Sequence, residues 1–78
     1  MTIAGTFHLE PAGEFIPVQG LPRAMLYRFS NTGSDVLHVN DIPVPAGNSL
    51  DLWAAKFRLW SSGASVGTKG TFELLAAN

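Results

Sequence analysis

The side chains best suited to acid–base or metal chemistry in this 78-residue chain are its two histidines, His8 and His38. Asp41 follows His38 closely, so a site of two histidines and one carboxylate can be drawn, a ligand set that transition metals use. The spacing matches no metal-binding signature, however, and both histidines fall on outward faces of predicted strands. We therefore expect surface histidines rather than ligands, and we expect no cofactor.

Nucleophilic catalysis requires a serine or cysteine held beside a base. The chain has no cysteine, no serine stands in a nucleophile elbow, and the six carboxylates are dispersed along the sequence. The segment 63–69 has a faint likeness to a phosphate-binding loop, but it lacks the G-x-x-x-x-G-K-[ST] spacing and precedes a strand rather than a helix. The sequence predicts a protein that is not an enzyme.

Residues suited to binding are concentrated in the segment 45–60, where a hairpin turning at Ala54 and Ala55 is predicted. Because side chains alternate across a strand, one face of that hairpin would be apolar, formed by Leu50, Leu52, Phe57 and Leu59. The other face would join an ion pair between Asp51 and Arg58 to both tryptophans, and it consists of Asp51, Trp53, Lys56, Arg58 and Trp60. Tryptophan provides a large amphipathic area at low entropic cost, which suits a protein interface or the face of a sugar ring.

The composition limits the partners of such a surface. Apolar residues make up 46% of the chain and charged residues only 14%, with a net charge of −1. No basic stripe is present for phosphate contacts, so nucleic-acid binding is not expected. No apolar run approaches the roughly 20 residues of a membrane-spanning helix. A chain this small, without disulfides, often gains stability by oligomerising, and a sparsely charged surface favours coverage by a partner.

Alternating apolar and polar residues predict strands that would position these side chains. The first strand is predicted over 2–9, the second over 23–30 and the last over 68–76, with a bulge at Gly70. Asn31-Thr32-Gly33 fits a three-residue hairpin loop, which would place Tyr27 opposite Leu37. An edge strand is predicted near Pro43 and Pro45, which cannot donate to a central ladder. Residues 61–67 are predicted to form a loop of small residues.

The chain is therefore predicted to be a single all-β domain spanning 1–78, a small antiparallel β-sandwich or partly open barrel of about six to seven short strands. Twelve apolar side chains are expected to form the core: Phe7, Leu9, Tyr27, Phe29, Leu37, Val39, Leu50, Leu52, Phe57, Leu59, Phe72 and Leu74. They suffice for one core, but not for a core that also encloses a deep ligand cavity.

A proline-rich arm interrupts the strands between residues 10 and 22. Prolines and glycines there prevent a regular ladder and favour extended chain. Phe15, Ile16 and Val18 give the arm three large apolar groups in four positions. We expect the arm to lie along its own domain, as a loop that caps the core, or along a neighbouring molecule.

Three segments carry a resemblance to a known group of proteins. They are Asn31-Thr-Gly-Ser-Asp-Val-Leu-His-Val-Asn, Ile42-Pro-Val-Pro-Ala-Gly-Asn-Ser-Leu-Asp-Leu and Lys56-Phe-Arg-Leu-Trp. Together, across 23–75, they resemble small virion proteins of tailed bacteriophages, in which an NTG turn precedes a P-x-G-x-S segment and an aromatic hairpin. The resemblance implies a non-enzymatic accessory protein of the particle: a capsid decoration (cement) protein, or a head-fibre or tail component.

The first functional hypothesis is thus a structural virion protein, made in the host cytoplasm, that packs as a homo-oligomer against the major capsid protein or another virion protein. Its alternative is a carbohydrate-binding or host-adhesion module that uses Trp53 and Trp60. The interface candidates are Phe15, Ile16, Val18, Trp53, Lys56, Arg58 and Trp60.

Overall fold

A computed structural model of the chain describes residues 3–61 and 66–77, and these form eight strands in two antiparallel sheets. The strands are β1 (Ala4–Leu9), β2 (Glu14–Phe15), β3 (Met25–Asn31), β4 (Leu37–Val39), β5 (Ile42–Val44), β6 (Ser49–Ala54), β7 (Leu59–Ser61) and β8 (Thr68–Ala77). Sheet A has the order β1-β8-β3-β6, and sheet B has the order β2-β7-β4-β5. The predicted all-β sandwich is confirmed, with eight strands rather than six or seven.

Two of the predicted segments include residues that the structure does not describe. Thr2 of the first predicted strand and positions 62–65 of the predicted loop lie outside the described residues. Within the described ranges no residue is helical, so no helix there could cross a membrane.

The core lies between the sheets and follows the alternation of the sequence. In β3, for example, Met25, Tyr27 and Phe29 are buried while Arg28 between them is exposed. Nine of the twelve predicted core side chains are buried, and the other three, Leu50, Leu52 and Leu74, are partly buried against them. The core also takes in three side chains that were not predicted, namely Val18, Met25 and Val44.

An aromatic cluster occupies the centre of this core. The Phe57 ring packs edge-on against Tyr27, with 5.1 Å between ring centroids, and lies 5.2 Å from Phe29. Phe72 completes the cluster from β8. Full burial of one such side chain stabilises a fold by about 1.5–3 kcal/mol, and burial also raises the pKa of the Tyr27 phenol.

The prediction of a hairpin within 45–60 is wrong. β6 pairs with β3 in sheet A, whereas β7 pairs with β2 and β4 in sheet B. The intervening residues cross from one sheet to the other, which carries Phe57 into the core between them. Phe57 is buried and Leu52 is partly buried against the same core, but Leu52 comes from β6 and Phe57 from the crossing segment. The alternation pattern is the same in either case.

The predicted three-residue hairpin loop at Asn31-Thr32-Gly33 is also wrong, for the same reason. β3 belongs to sheet A and β4 to sheet B. Tyr27 is therefore flanked by Leu52 of β6 and Leu74 of β8. Leu37 is buried as predicted, but it comes from the facing sheet.

Two local features of the strands qualify the predictions. β5, which contains Pro43, is an edge strand as expected. The register irregularity of β8 falls opposite Leu26 and Tyr27, where Leu75 is the extra residue, so the bulge predicted at Gly70 is not there. Gly70 is instead a point of close approach, because a Cβ atom there would collide with the carbonyl oxygen of Ser30.

The buried side chain of Asn31 holds together the crossing from β3 of sheet A to β4 of sheet B. Its Nδ2 donates to the carbonyl oxygens of Asp35 and Val44, both at 2.8 Å. Its Oδ1 accepts from the Gly33 amide at 3.1 Å and from the Thr68 hydroxyl. One amide group thus joins four positions in three segments, and its hydrogen-bonding capacity is filled.

Replacing Asn31 by Asp should test this tie with little change of shape. The substitution Asn31→Asp removes both Nδ2 donors and sets a carboxylate oxygen against two carbonyl oxygens, so we expect a loss of about 2–4 kcal/mol in the free energy of unfolding. Urea unfolding measures it. Asn48→Asp, at an exposed position nearby, is the matched control and should change stability by less than about 0.5 kcal/mol. Equal stability of the two variants would contradict the role given to Asn31.

Candidate functional site

Beyond the aligned pair of His8 and Lys69, the outer face of sheet A carries three rows of side chains that run across its strands. The strand register aligns hydroxyl groups in the first row: Thr6, Thr71, Ser30 and Ser49. It aligns mostly charged groups in the second: Ala4, Glu73, Arg28 and Asp51. It aligns apolar groups in the third: Ala76, Leu26 and Trp53. The face therefore changes from polar to apolar along the strands.

Arg28 organises the charged row. Its Nε and Nη2 bond to the two carboxylate oxygens of Asp51 at 2.8 and 3.0 Å, while its Nη1 lies 3.9 Å from the Glu73 carboxylate. A bidentate pair holds both side chains in one geometry. The prediction that Asp51 pairs with Arg58 is wrong, since β6 lies beside β3 rather than β7.

The third row continues into an exposed apolar strip, which we define as Leu26, Trp53, Leu75 and Ala76. Trp53 is 50% exposed and Leu75 is 37% exposed. The bulge of β8 brings Leu75 beside Ala76, which is aligned with Leu26 in the neighbouring strand. Trp53 was a predicted interface candidate. Leu26 and Leu75 were not among the interface candidates, because only the pairing of neighbouring strands places them on one surface with Trp53.

Trp60 lies on the outer face of sheet B and is half-buried by its neighbours. Its ring stacks on His38 with 3.9 Å between centroids and an interplanar angle of 10°. The Arg58 guanidinium lies 5.5 Å from the Trp60 ring and is held by Glu14 at 2.9 Å and by Asp41 at 3.8 Å. The buried Nε1 of Trp60 has no hydrogen-bond partner among the described residues.

The prediction of one surface shared by both tryptophans is therefore wrong. Trp53 projects from sheet A and Trp60 from sheet B, on opposite outer faces of the sandwich. Because the indole of Trp60 packs on His38, it offers less free surface than Trp53.

The proline-rich arm lies along its own domain, one of the two predicted courses. Val18 is buried in the core, and Phe15 pairs with Leu59 through the short strand β2. Ile16 remains 45% exposed. Val18 therefore stabilises the domain itself, whereas Phe15 and Ile16 keep apolar surface that a partner could contact.

A shallow groove of about 320 Å³ separates the arm from the crossing residues 55–58. Ile16, Val18 and Phe57 give it apolar walls, and Lys56 stands at its rim without an ion pair to another described residue. Asn40 fixes the opposite side, because its Nδ2 donates to the Lys56 carbonyl at 2.7 Å and its Oδ1 accepts from the Arg58 amide at 2.8 Å. The groove is a surface feature and leaves the core filled.

The histidines do not converge on one site. His8 lies in β1 of sheet A, with its Nδ1 3.7 Å from the Glu10 carboxylate, and His38 lies in β4 of sheet B. No group of three or more histidine, aspartate or glutamate side chains within 3–61 and 66–77 is arranged to hold a metal ion.

Comparison of the chain with protein-family models, with curated proteins and with solved structures finds no match. The function is therefore inferred from the surfaces described above.

The Arg28–Asp51 pair gives a pH-dependent prediction. Chiefly through its hydrogen bond, the Arg28 guanidinium lowers the pKa of the Asp51 carboxyl below its ordinary value. The pair therefore contributes stability above the unfolded-state pKa of about 3.9, and that contribution is lost as the pH falls through the lower folded-state pKa. We expect Arg28→Gln to move the Asp51 pKa back up toward its ordinary value.

An NMR titration of the Asp51 carboxyl carbon measures that pKa directly. Lys69→Gln, on the same sheet but two rows away, should leave the Asp51 pKa unchanged. An Asp51 pKa equal in the wild type and in the Arg28→Gln variant would contradict the bidentate geometry.

Proposed function

We propose that this protein is a non-enzymatic structural protein that assembles through the outer face of sheet A. The observation that carries the proposal is the apolar strip, where the half-exposed Trp53 of β6 pairs with the partly buried Leu26 of β3, and the exposed Leu75 follows on β8, the next strand of the sheet. Large apolar side chains in a contiguous exposed group are typical of protein interfaces, and tryptophan is enriched among the residues that anchor them.

The two polar rows beside the strip favour a protein as the partner, rather than a partner whose surface is apolar throughout. The charged row of Glu73, Arg28 and Asp51 and the hydroxyl row would form the polar rim that surrounds the apolar centre of an interface. Within the charged row, Arg28 and its two carboxylate neighbours carry one positive and two negative charges. The partner surface is therefore expected to be apolar opposite Trp53 and neutral or weakly basic opposite this row.

The resemblance to small tailed-phage proteins gives this assembly role a biological setting. We propose a capsid decoration protein that stabilises the shell, located in the virion, with the major capsid protein or another virion protein as its partner. Mass spectrometry of purified particles, from the phage or prophage that carries the gene, tests the setting. Absence of the protein from the particles would contradict the virion assignment while leaving assembly through sheet A to be judged separately.

The strip itself is tested by sedimentation velocity of the purified protein. We expect the wild type to associate in a concentration-dependent manner and Trp53→Ser to weaken association by at least about tenfold, since truncating an anchor residue costs more than about 1.4 kcal/mol. Val66→Ser removes a similarly exposed apolar side chain outside the strip and should have no effect. A monomeric wild type that also fails to bind its particle would overturn the proposal.

A carbohydrate-binding module is the second candidate, and one observation favours it. The exposed indole of Trp53 lies next to the Asp51–Arg28 pair, so an aromatic platform adjoins groups able to hydrogen-bond sugar hydroxyls. A glycan array separates the two candidates. Binding that is lost in Trp53→Ser and kept in Trp60→Ser would favour the glycan, whereas no binding by the wild type would remove this candidate.

A further inference from the structure

The two edge strands of sheet A, β1 and β6, remain open in the described part of the chain. Each is six residues long and contains no proline. The edges of sheet B are different, because β2 has only two residues and β5 has three, one of them Pro43. Short strands and prolines are common means of preventing edge-to-edge pairing. Sheet B is protected in this way and sheet A is not.

The backbone hydrogen bonds show which groups are available at each open edge. The Asn31 amide donates to the Asn48 carbonyl at 2.9 Å, and Leu74 donates to the Ile3 carbonyl at 2.6 Å. Backbone groups point to alternate sides along a strand. The outward residues of β6 are therefore Ser49, Asp51 and Trp53, and those of β1 are Ala4, Thr6 and His8.

We propose that β6 of one molecule pairs antiparallel with β1 of a second copy, so that sheet A continues from molecule to molecule. This inference rests on the proposed assembly function and deepens it by naming the partner and the contact. The strands of sheet A alternate in direction, so adding β1 of a second copy beyond β6 continues the alternation without reversing a molecule. Three outward residues on each edge would form about six backbone hydrogen bonds.

When the two strands overlap along their full length, large side chains of one strand lie opposite small side chains of the other. Trp53 lies opposite Ala4 of the second copy and Leu52 opposite its Gly5. Ala54 lies opposite its Ile3, which is 64% exposed in the single molecule. The pairing would thus cover two of the most exposed large apolar side chains, Ile3 and Trp53, with the smallest residues of the opposing edge.

The charges agree with the same register. Asp51 would face Thr6 of the second copy, and Ser49 would face its His8, so no like charges meet. A two-fold pairing of two β6 strands centred on Asp51 would instead set one carboxylate against another, which is destabilising. The head-to-tail contact is heterologous, and it generates a ring if its rotation closes or a filament if it does not.

Because the chain has no cysteine, disulfide trapping can test the register without cross-links from native thiols. The double variant Ile3→Cys with Ala54→Cys places thiols opposite each other across the proposed contact, at a non-hydrogen-bonded pair. Under mild oxidation we expect a ladder of covalent oligomers on a non-reducing gel, and neither single variant should cross-link. The matched control, Ala4→Cys with Ala54→Cys, sets the thiols on opposite faces of the joined sheet and should stay monomeric on the gel.

Thr6→Pro tests the backbone contact independently. The Thr6 N–H points away from β8, so proline there leaves the β1–β8 ladder intact but removes a donor from the open edge. We expect at least a tenfold weaker association with unchanged circular dichroism. No ladder, or cross-linking equal in the control pair, overturns the head-to-tail contact. If association nevertheless persists and depends on Trp53, the proposed function survives. A strictly monomeric wild type overturns the head-to-tail contact, and one that also fails to bind its particle overturns the proposed function as well.

Discussion

The hydrogen bonds of the buried Asn31 amide hold the two sheets in one arrangement. The chain leaves sheet A at this residue, and the amide bonds both the departing segment, through Gly33 and Asp35, and the end of β5, through Val44. Thr68, the first residue of β8, bonds to the same side chain. In a low-dielectric interior a polar group is stabilising only when all its partners are present. The amide therefore favours the one arrangement that supplies all of them.

The crossing from β6 to β7 depends on a second asparagine and on an aromatic side chain. Asn40 has a positive φ of 47° in the turn between β4 and β5. From there it bonds the backbone of Lys56 and Arg58. Phe57, between those two residues, is thereby directed into the aromatic cluster. This crossing separates Trp53 from Trp60, so that residues only seven positions apart lie on opposite faces.

The surfaces of the two sheets differ in a way that bears on assembly. On the outer face of sheet B the larger side chains contact one another, with Trp60 stacked on His38 and Arg58 held by Glu14 and Asp41. Its edges are short or contain proline. Sheet A presents the apolar strip, which is costly to leave in water. In the part of the chain that the structure describes, it also presents two long edges that are open to pairing. A neighbour that covers sheet A would remove both liabilities at once, which is why the proposed function and the proposed contact concern the same sheet.

The sequence by itself determined the fold class, the inward and outward faces of most strands, and the edge position of β5. These follow from a period of two in apolar residues and from the missing N–H of proline, which are local properties of the chain. Phe7, Tyr27, Leu37, Phe57 and Phe72 could be assigned to the core on that ground alone. Their assignment held even where the predicted pairing failed.

Only the tertiary structure decided which strands are neighbours. A sandwich can bury Tyr27 and Leu37 from one sheet or from two facing sheets, and the alternation is identical. The choice depended on long-range contacts, above all the Asn31 hydrogen bonds and the burial of Phe57 between the sheets, and these have no local signature. The same choice gave Asp51 to Arg28, separated the tryptophans, and brought Leu26, Trp53 and Leu75 onto one surface. The candidate site is thus a product of strand order, which a pattern of period two does not encode.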